Sequence, residues 1–97
     1  MIVSGGENVY PSEVQELLSH HPAIADVAVV GVADDEFGQA LAAFVVPRDG
    51  QSLTVDDVRA YVRDRLARFK VPRRVEFLAD LPRNPTGKVL TRELTQR

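Results

Sequence analysis

Two apolar runs lie close together in this chain: AIADVAVVGV, Ala23 to Val32, and ALAAFVVP, Ala40 to Pro47. The first is rich in β-branched residues and both read as strands. A strand with one wet face alternates polar and apolar residues. Here both parities are apolar, so both faces of the pair are expected to be covered. The linking stretch ADDEFGQ is too short for a crossover, so the two runs should pair antiparallel. A chain with such a pair at its centre must supply layers for it from its remaining residues.

The flanking segments can do this. In MIVSGGENVYPSEVQELLSHHP, a short apolar piece and a Gly-Gly loop precede helix signals. Pro11 comes early, Glu13 and Glu16 fall in the first turns, and Val14, Leu17 and Leu18 recur at helical spacing. Pro22 closes that helix. His20 and His21 sit at its end, where adjacent side chains diverge, and read as solvated rather than as a metal pair. LTVDDVRAYVRDRLARF reads as a second helix, with Thr54 as N-cap, Asp57 three residues on, and an apolar stripe of Val55, Val58, Tyr61, Val62 and Leu66. The segment KVP breaks it. RRVEFLA reads as a third strand with Val75 and Phe77 on one face, and a short helix is expected around Thr91 to Gln96. The layout predicts a single α+β domain over residues 1–97: a small two-layer sandwich, its three-stranded and mostly antiparallel sheet packed with two main helices, plus the short C-terminal helix.

A chain of 97 residues buries only about 60–65% of its unfolded surface, so the core should be thin. No cysteine is present, which removes disulfides and thiolate chemistry. No apolar run approaches the ~20 residues needed to span a bilayer. The first residues lack the basic and apolar regions of a signal peptide. A reducing cytoplasm is the expected location. The net charge of −2 conceals a division. Residues 1–57 carry ten acids and one base, whereas residues 58–97 carry eleven bases and four acids. The basic half could meet a phosphate-bearing partner, or the two halves could attract each other. Aromatic residues are 6% of the chain and do not interleave with the basic ones, so nucleic acid is not an expected partner.

Motifs for common chemistries fail. PTGKVLT has Gly-Lys, but no glycine stands five residues before Gly87 as a P-loop needs, and Val89 follows the lysine. SGGEN lacks the three-glycine dinucleotide fingerprint. No metal-ligand spacing and no nucleophilic triad is present. Two loops remain. One is Ser4-Gly5-Gly6-Glu7-Asn8, where backbone could approach a narrow ligand or simply turn. The other is Asn84 to Lys88, within LPRNPTGKVLTREL. Its prolines and glycine should shape it rather than leave it loose. It holds out Lys88, one of two lysines against ten arginines. Such a lysine could be an ordinary exposed side chain, or a point charge for phosphate or carboxylate.

Taken together and in this order, the segments resemble the adenylate-forming acyl- and aryl-CoA ligases. VSGGENVYPSEVQELL resembles the segment after their hinge, VAVVGVADDEFGQALAAFVVP their pair of strands, and FKVPRRVEFLADLPRNPTGKVLTREL their C-terminal end. The resemblance covers essentially the whole chain, and SGGENVYP is closer to a CoA ligase than to a peptide-synthetase adenylation domain.

The resemblance implies a C-terminal lid over a large N-terminal domain that binds ATP and a fatty or aryl acid and holds most of the Mg2+ contacts. That N-terminal domain and the carboxylic acid are its implied partners, and ATP and CoA its substrates. Lys88 matches the lysine that helps form acyl-adenylate and pyrophosphate. After rotation, the face matching Gly5 and Gly6 lines the pantetheine tunnel. Glu7 and Asn8 match residues supporting that arrangement. Arg73, and more weakly Lys70, match basic positions near the CoA nucleotide. Gln39 stands where glutamate is common, Ala33 where proline is common, and Val71 where some members carry a base. The hinge residue and the ATP site fall outside the chain, so the isolated chain is expected to be inactive. The alternative is a stand-alone, non-catalytic module that binds a partner protein or a CoA-like ligand.

Overall fold

The two apolar runs do pair antiparallel, and both strands extend further into the linker than their apolar cores. In a computed structural model that describes residues 1–95, the elements follow in order. They are β1 (Ile2–Ser4), β2 (Glu7–Val9), α1 (Pro11–Ser19), β3 (Ile24–Asp34), β4 (Gly38–Pro47), α2 (Val55–Arg63), a 3-10 turn (Arg68–Lys70), β5 (Arg74–Phe77) and α3 (Thr91–Thr95). Gln96, the expected last residue of α3, lies outside the described residues. The strands form an α+β fold with a three-stranded sheet in the order β3-β4-β5 and a separate β1-β2 hairpin.

Both faces of β3-β4 are covered, as the doubled parity requires. Val27, Val29, Leu41, Ala43 and Val45 point to one face. There they meet Val14 and Leu18 of α1 and Val58 and Val62 of α2, all four fully buried. Ala28, Ala42 and Phe44 point to the other face, where Leu81 and Leu94 of the C-terminal segment close over them. The main helices therefore share one layer, and the C-terminal segment caps part of the opposite face.

β5 pairs with β4 in parallel, Ala43 opposite Val75 and Val45 opposite Phe77. The sheet is thus mixed, with one antiparallel and one parallel pairing. The reason is α2: a helix between two neighbouring strands is the crossover that a parallel pair needs. Val75 and Phe77 both pack on the helical side, the shared face expected of them.

The helix ends follow local chemistry. Thr54 and Asp57 form a full capping box: Thr54 Oγ1 accepts from Asp57 N at 3.1 Å and Asp57 Oδ2 accepts from Thr54 N at 3.0 Å. Helix α2 stops at Arg63, six residues short of the expected Phe69. Asp64 places a negative charge at the negative end of the helix dipole, and the chain there turns instead of continuing. Leu66 still reaches the core from that turn, whereas Val55 is exposed and leaves the expected stripe. At the end of α1 the histidines part. His20 is exposed beside Glu16, while His21 Nδ1 accepts from Ala23 N at 3.0 Å and its ring packs on Tyr61.

The acidic and basic halves face each other in the fold. Lys70 pairs with Glu13 at 2.7 Å, Arg73 with Asp34 at 3.1 Å and Glu36 at 2.9 Å, and Arg83 with Asp26 at 2.6 Å. Every one of these pairs joins a base from the second half to an acid from the first.

Candidate functional site

The two loops singled out by composition sit at opposite ends of the β3-β4 hairpin. Gly5 and Gly6 are the two-residue turn of the β1-β2 hairpin, with φ of 56° and 88°. Two consecutive positive φ values are what the tightest hairpin loop demands, and glycine reaches them without steric cost. Gly5 N donates to Phe37 O at 3.1 Å, which fixes this turn to the tip of β3-β4. A second tie runs from Val3 N to Gln39 Oε1 at 3.0 Å. Gln39, where the family resemblance led to glutamate, accepts this bond as a carboxylate would.

Asp34 organises the tip. Its Oδ1 accepts from Glu36 N at 2.9 Å and Phe37 N at 2.8 Å, and its Oδ2 accepts from Arg73 Nε at 3.1 Å. The Phe37 amide, then the Glu36 amide and the Arg73 guanidinium, hold its carboxyl below the usual value against partial desolvation. Arg73 in turn lies over the Phe37 ring at 4.2 Å.

Beside this tip lies a groove of about 770 Å³, within the size range of small-molecule sites. Gly5, Glu7 and Arg73, three of the expected site residues, line it, together with Phe37, Phe69 and Val71. Arg59, Arg63 and Arg68 also line it, and sequence reasoning missed all three. Their signal was present: Arg59 and Arg63 are four apart on α2, flanking the buried stripe of Val58 and Val62. Gly6, Asn8 and Lys70 are not among the lining residues. Asn8 is an exposed residue of β2 opposite Val3. The Lys70 ammonium is held by Glu13 at 2.7 Å, and its side chain is 23% exposed.

Lys88 is at the other end. Asn84 builds its loop: Asn84 Oδ1 accepts from Thr86 N at 3.1 Å, Thr86 Oγ1 at 2.7 Å and Lys88 N at 3.0 Å. Asn84 N donates to Lys88 O and Gly87 N to Asn84 O, both at 2.9 Å. Arg83 pairs with Val89 across the loop, and Arg83 Nη2 donates to Asp26 Oδ2 at the start of β3. The loop is therefore a shaped hairpin, and Lys88 leaves it exposed to solvent. Asp26 and Asp34 are eight residues apart along β3, which at ~3.4 Å per residue separates the two loops' anchor points by ~27 Å. No group of three or more His, Asp or Glu residues among the described residues could hold a metal ion. No helix among them is long and apolar enough to cross a membrane.

The sequence profile of the AMP-binding enzyme C-terminal domain matches residues 13–88. The chain belongs to that family. Among relatives of this AMP-binding enzyme C-terminal domain, the 2-succinylbenzoate--CoA ligase of Bacillus cereus (strain Q1) is 47% identical over 96 residues, 99% of this chain and 20% of the relative. The solved fatty acyl CoA synthetase of Mycobacterium tuberculosis is 43% identical with a TM-score of 0.90, covering 99% of this chain and 19% of that one. The solved amide bond synthetase McbA of Marinactinospora thermotolerans is 40% identical with a TM-score of 0.92, covering 98% and 19%. The chain spans about one fifth of the length of these relatives. The profile match ends at Lys88 and begins after the Gly5-Gly6 turn, which lies within the span shared with the ligases.

Proposed function

We propose that residues 1–97 are the C-terminal lid of an AMP-forming ligase that joins a fatty or aryl acid to CoA in the cytoplasm. The observation that carries this reading is the placement of two shaped loops at opposite ends of one braced hairpin. A lid with two working ends can serve two half-reactions by rotating between them. The names of the relatives support the reaction class.

In the first half-reaction a carboxylate oxygen of the acid attacks the α-phosphorus of ATP. The bond from that phosphorus to the leaving oxygen breaks, giving acyl-adenylate and pyrophosphate. Lys88, presented by the Asn84 loop, stabilises the charge that develops between carboxylate and α-phosphate. The loop is already ordered by its own hydrogen bonds, so little entropy is lost when the lid closes. In the second half-reaction the opposite end faces the site. The CoA sulfur attacks the acyl carbon, the bond to the AMP oxygen breaks, and the thiol proton leaves to solvent or a base of the larger domain. Gly5 and Gly6 leave room for the pantetheine arm, Glu7 and Asn8 support that arrangement, and Arg73, with Lys70 more weakly, meets the CoA nucleotide. A large N-terminal domain supplies the ATP and acid sites and the Mg2+ that accompanies ATP. Among the described residues no group of three or more His, Asp or Glu offers a site for that ion, and no step here passes through it.

The test uses the complete ligase. Lys88→Ala should lower acyl-adenylate formation on the order of 100- to 1,000-fold, the cost of one preorganised donor. Thioester formation from supplied acyl-adenylate should persist. Equal loss of both steps would exclude the role of Lys88. The chain alone should catalyse neither step. A native product of the size of this chain, with no larger ligase containing it, would favour the stand-alone binding module.

A further inference from the structure

Arg83 joins the lysine loop to the long hairpin with both arms of its guanidinium. Nη1 donates to Gly87 O at 2.6 Å, and Nη2 donates to Asp26 Oδ2 at 2.6 Å. The Gly87 carbonyl belongs to the peptide unit whose nitrogen is that of Lys88. That nitrogen donates to Asn84 Oδ1 at 3.0 Å. One planar peptide is therefore gripped at both edges, its oxygen by Arg83 and its N–H by Asn84. Fixing that plane removes one of the two soft torsions that set where the Lys88 side chain departs.

Asp26 is itself fixed. Its Oδ1 accepts from Val27 N at 3.0 Å, so the carboxylate cannot swing freely from the strand. The register of β3 against β4 shifts between Ile24 and Asp26, an irregularity of the kind that re-aims a side chain at the end of a ladder. An isolated exposed ion pair would contribute little. This one occupies a guanidinium whose other arm holds the peptide of the exposed lysine, and a lysine at 83 could not span both partners.

We propose that Asp26 is a positioning residue for the adenylation half-reaction: it holds Arg83, Arg83 holds the Gly87–Lys88 peptide, and the peptide aims Lys88. The inference rests on the proposed role of Lys88. Its test is made in the complete ligase with Lys88→Ala in parallel. Asp26→Asn should lower kcat for adenylation at least about tenfold, since small misplacements of a catalytic group are costly. KM for ATP and the rate of thioester formation from supplied acyl-adenylate should stay within about twofold, a split that general loss of folding would not produce. Unchanged adenylation, or equal loss of both steps, overturns the relay.

Two further variants guard against misfolding of Asp26→Asn. Arg83→Lys keeps the charge and should show the same split; wild-type adenylation in this variant also overturns the relay. The exchanged pair Asp26→Arg with Arg83→Asp restores opposite charges but leaves no donor for Gly87 O. Its adenylation should remain low, and full recovery would mean that the ion pair alone matters. If Lys88→Ala fails to separate the half-reactions, the role of Lys88 falls and the relay with it. If Lys88→Ala separates them and Asp26→Asn does not, only the relay falls.

Discussion

Single residues carry much of this fold's definition, and two of them make measurable claims. Gly31 lies where β1 crosses the hairpin. A Cβ built there would stand 2.4 Å from Ile2 Cγ2, a distance real atoms do not adopt. Ile2 is branched and buried, so it cannot simply turn away. Gly31→Ala should destabilise the domain by about 1–3 kcal/mol in urea unfolding, the usual cost of overpacking. Adding Ile2→Ala should cost less than the two single changes summed, because the sites share one space. Asp34 makes a pH claim. Its folded pKa lies below its unfolded one, held there first by the Phe37 amide. A depressed carboxylate stabilises the fold above its unfolded pKa, and that stabilisation is lost as pH falls through the folded value. Thermal unfolding of the wild type should exceed that of Asp34→Asn near neutrality. The gap should close on acidification below about pH 4, where an ordinary aspartate takes up its proton. A gap independent of pH would show that the carboxylate charge is not what holds the tip. Neither role could be seen in the sequence: Gly31 looks like any strand glycine, and Asp34 like one of three acids in a turn.

At the level of elements, legibility followed the strength of the local signal. The β3-β4 hairpin is readable because two apolar runs, of ten and eight residues, lie a short link apart, and α2 is capped at Thr54 because the capping pattern is specific. Thr54→Ala should cost about 1 kcal/mol of stability, measured by chemical unfolding, since the Asp57 amide loses its Oγ1 acceptor while Asp57 Oδ2 keeps the backbone N–H of residue 54. The end of α2 was misread because the apolar spacing continues through Leu66 while the backbone does not. Leu66 reaches the core from a turn, and periodicity alone cannot separate the two. The β1-β2 hairpin went unassigned because each strand has three residues, too few for an alternation to register, although its Gly-Gly turn was noticed. The parallel β5 followed from the strand-helix-strand order, a topological fact that overrides the adjacency of strands. The groove arginines carry no local motif: Arg59 and Arg63 flank the buried stripe of α2, and only the fold brings them together with Arg68 and the hairpin tip.

The whole molecule is organised by the β3-β4 ladder. It is covered on both faces and long enough to hold the anchor points of the two loops ~27 Å apart. The sequence identified which residues stand in the loops, but not that Gly5 is tied to Phe37 or that Arg83 is tied to Asp26. Those ties are between residues 32 and 57 positions apart, beyond any local pattern. The charge division had two readings in the sequence. In the fold the halves meet as ion pairs, while Arg59, Arg63 and Arg68 remain along the groove. Two working ends on one rigid body is the central claim, and the measurement that tests it most directly is a crossed one. In the complete ligase, acyl-adenylate formation and thioester formation from supplied acyl-adenylate are measured for Lys88→Ala and for Gly6→Leu. The account predicts opposite losses, with Lys88→Ala failing in the first step and Gly6→Leu in the second. Losses in the same step for both variants, or equal losses in both steps, would contradict it.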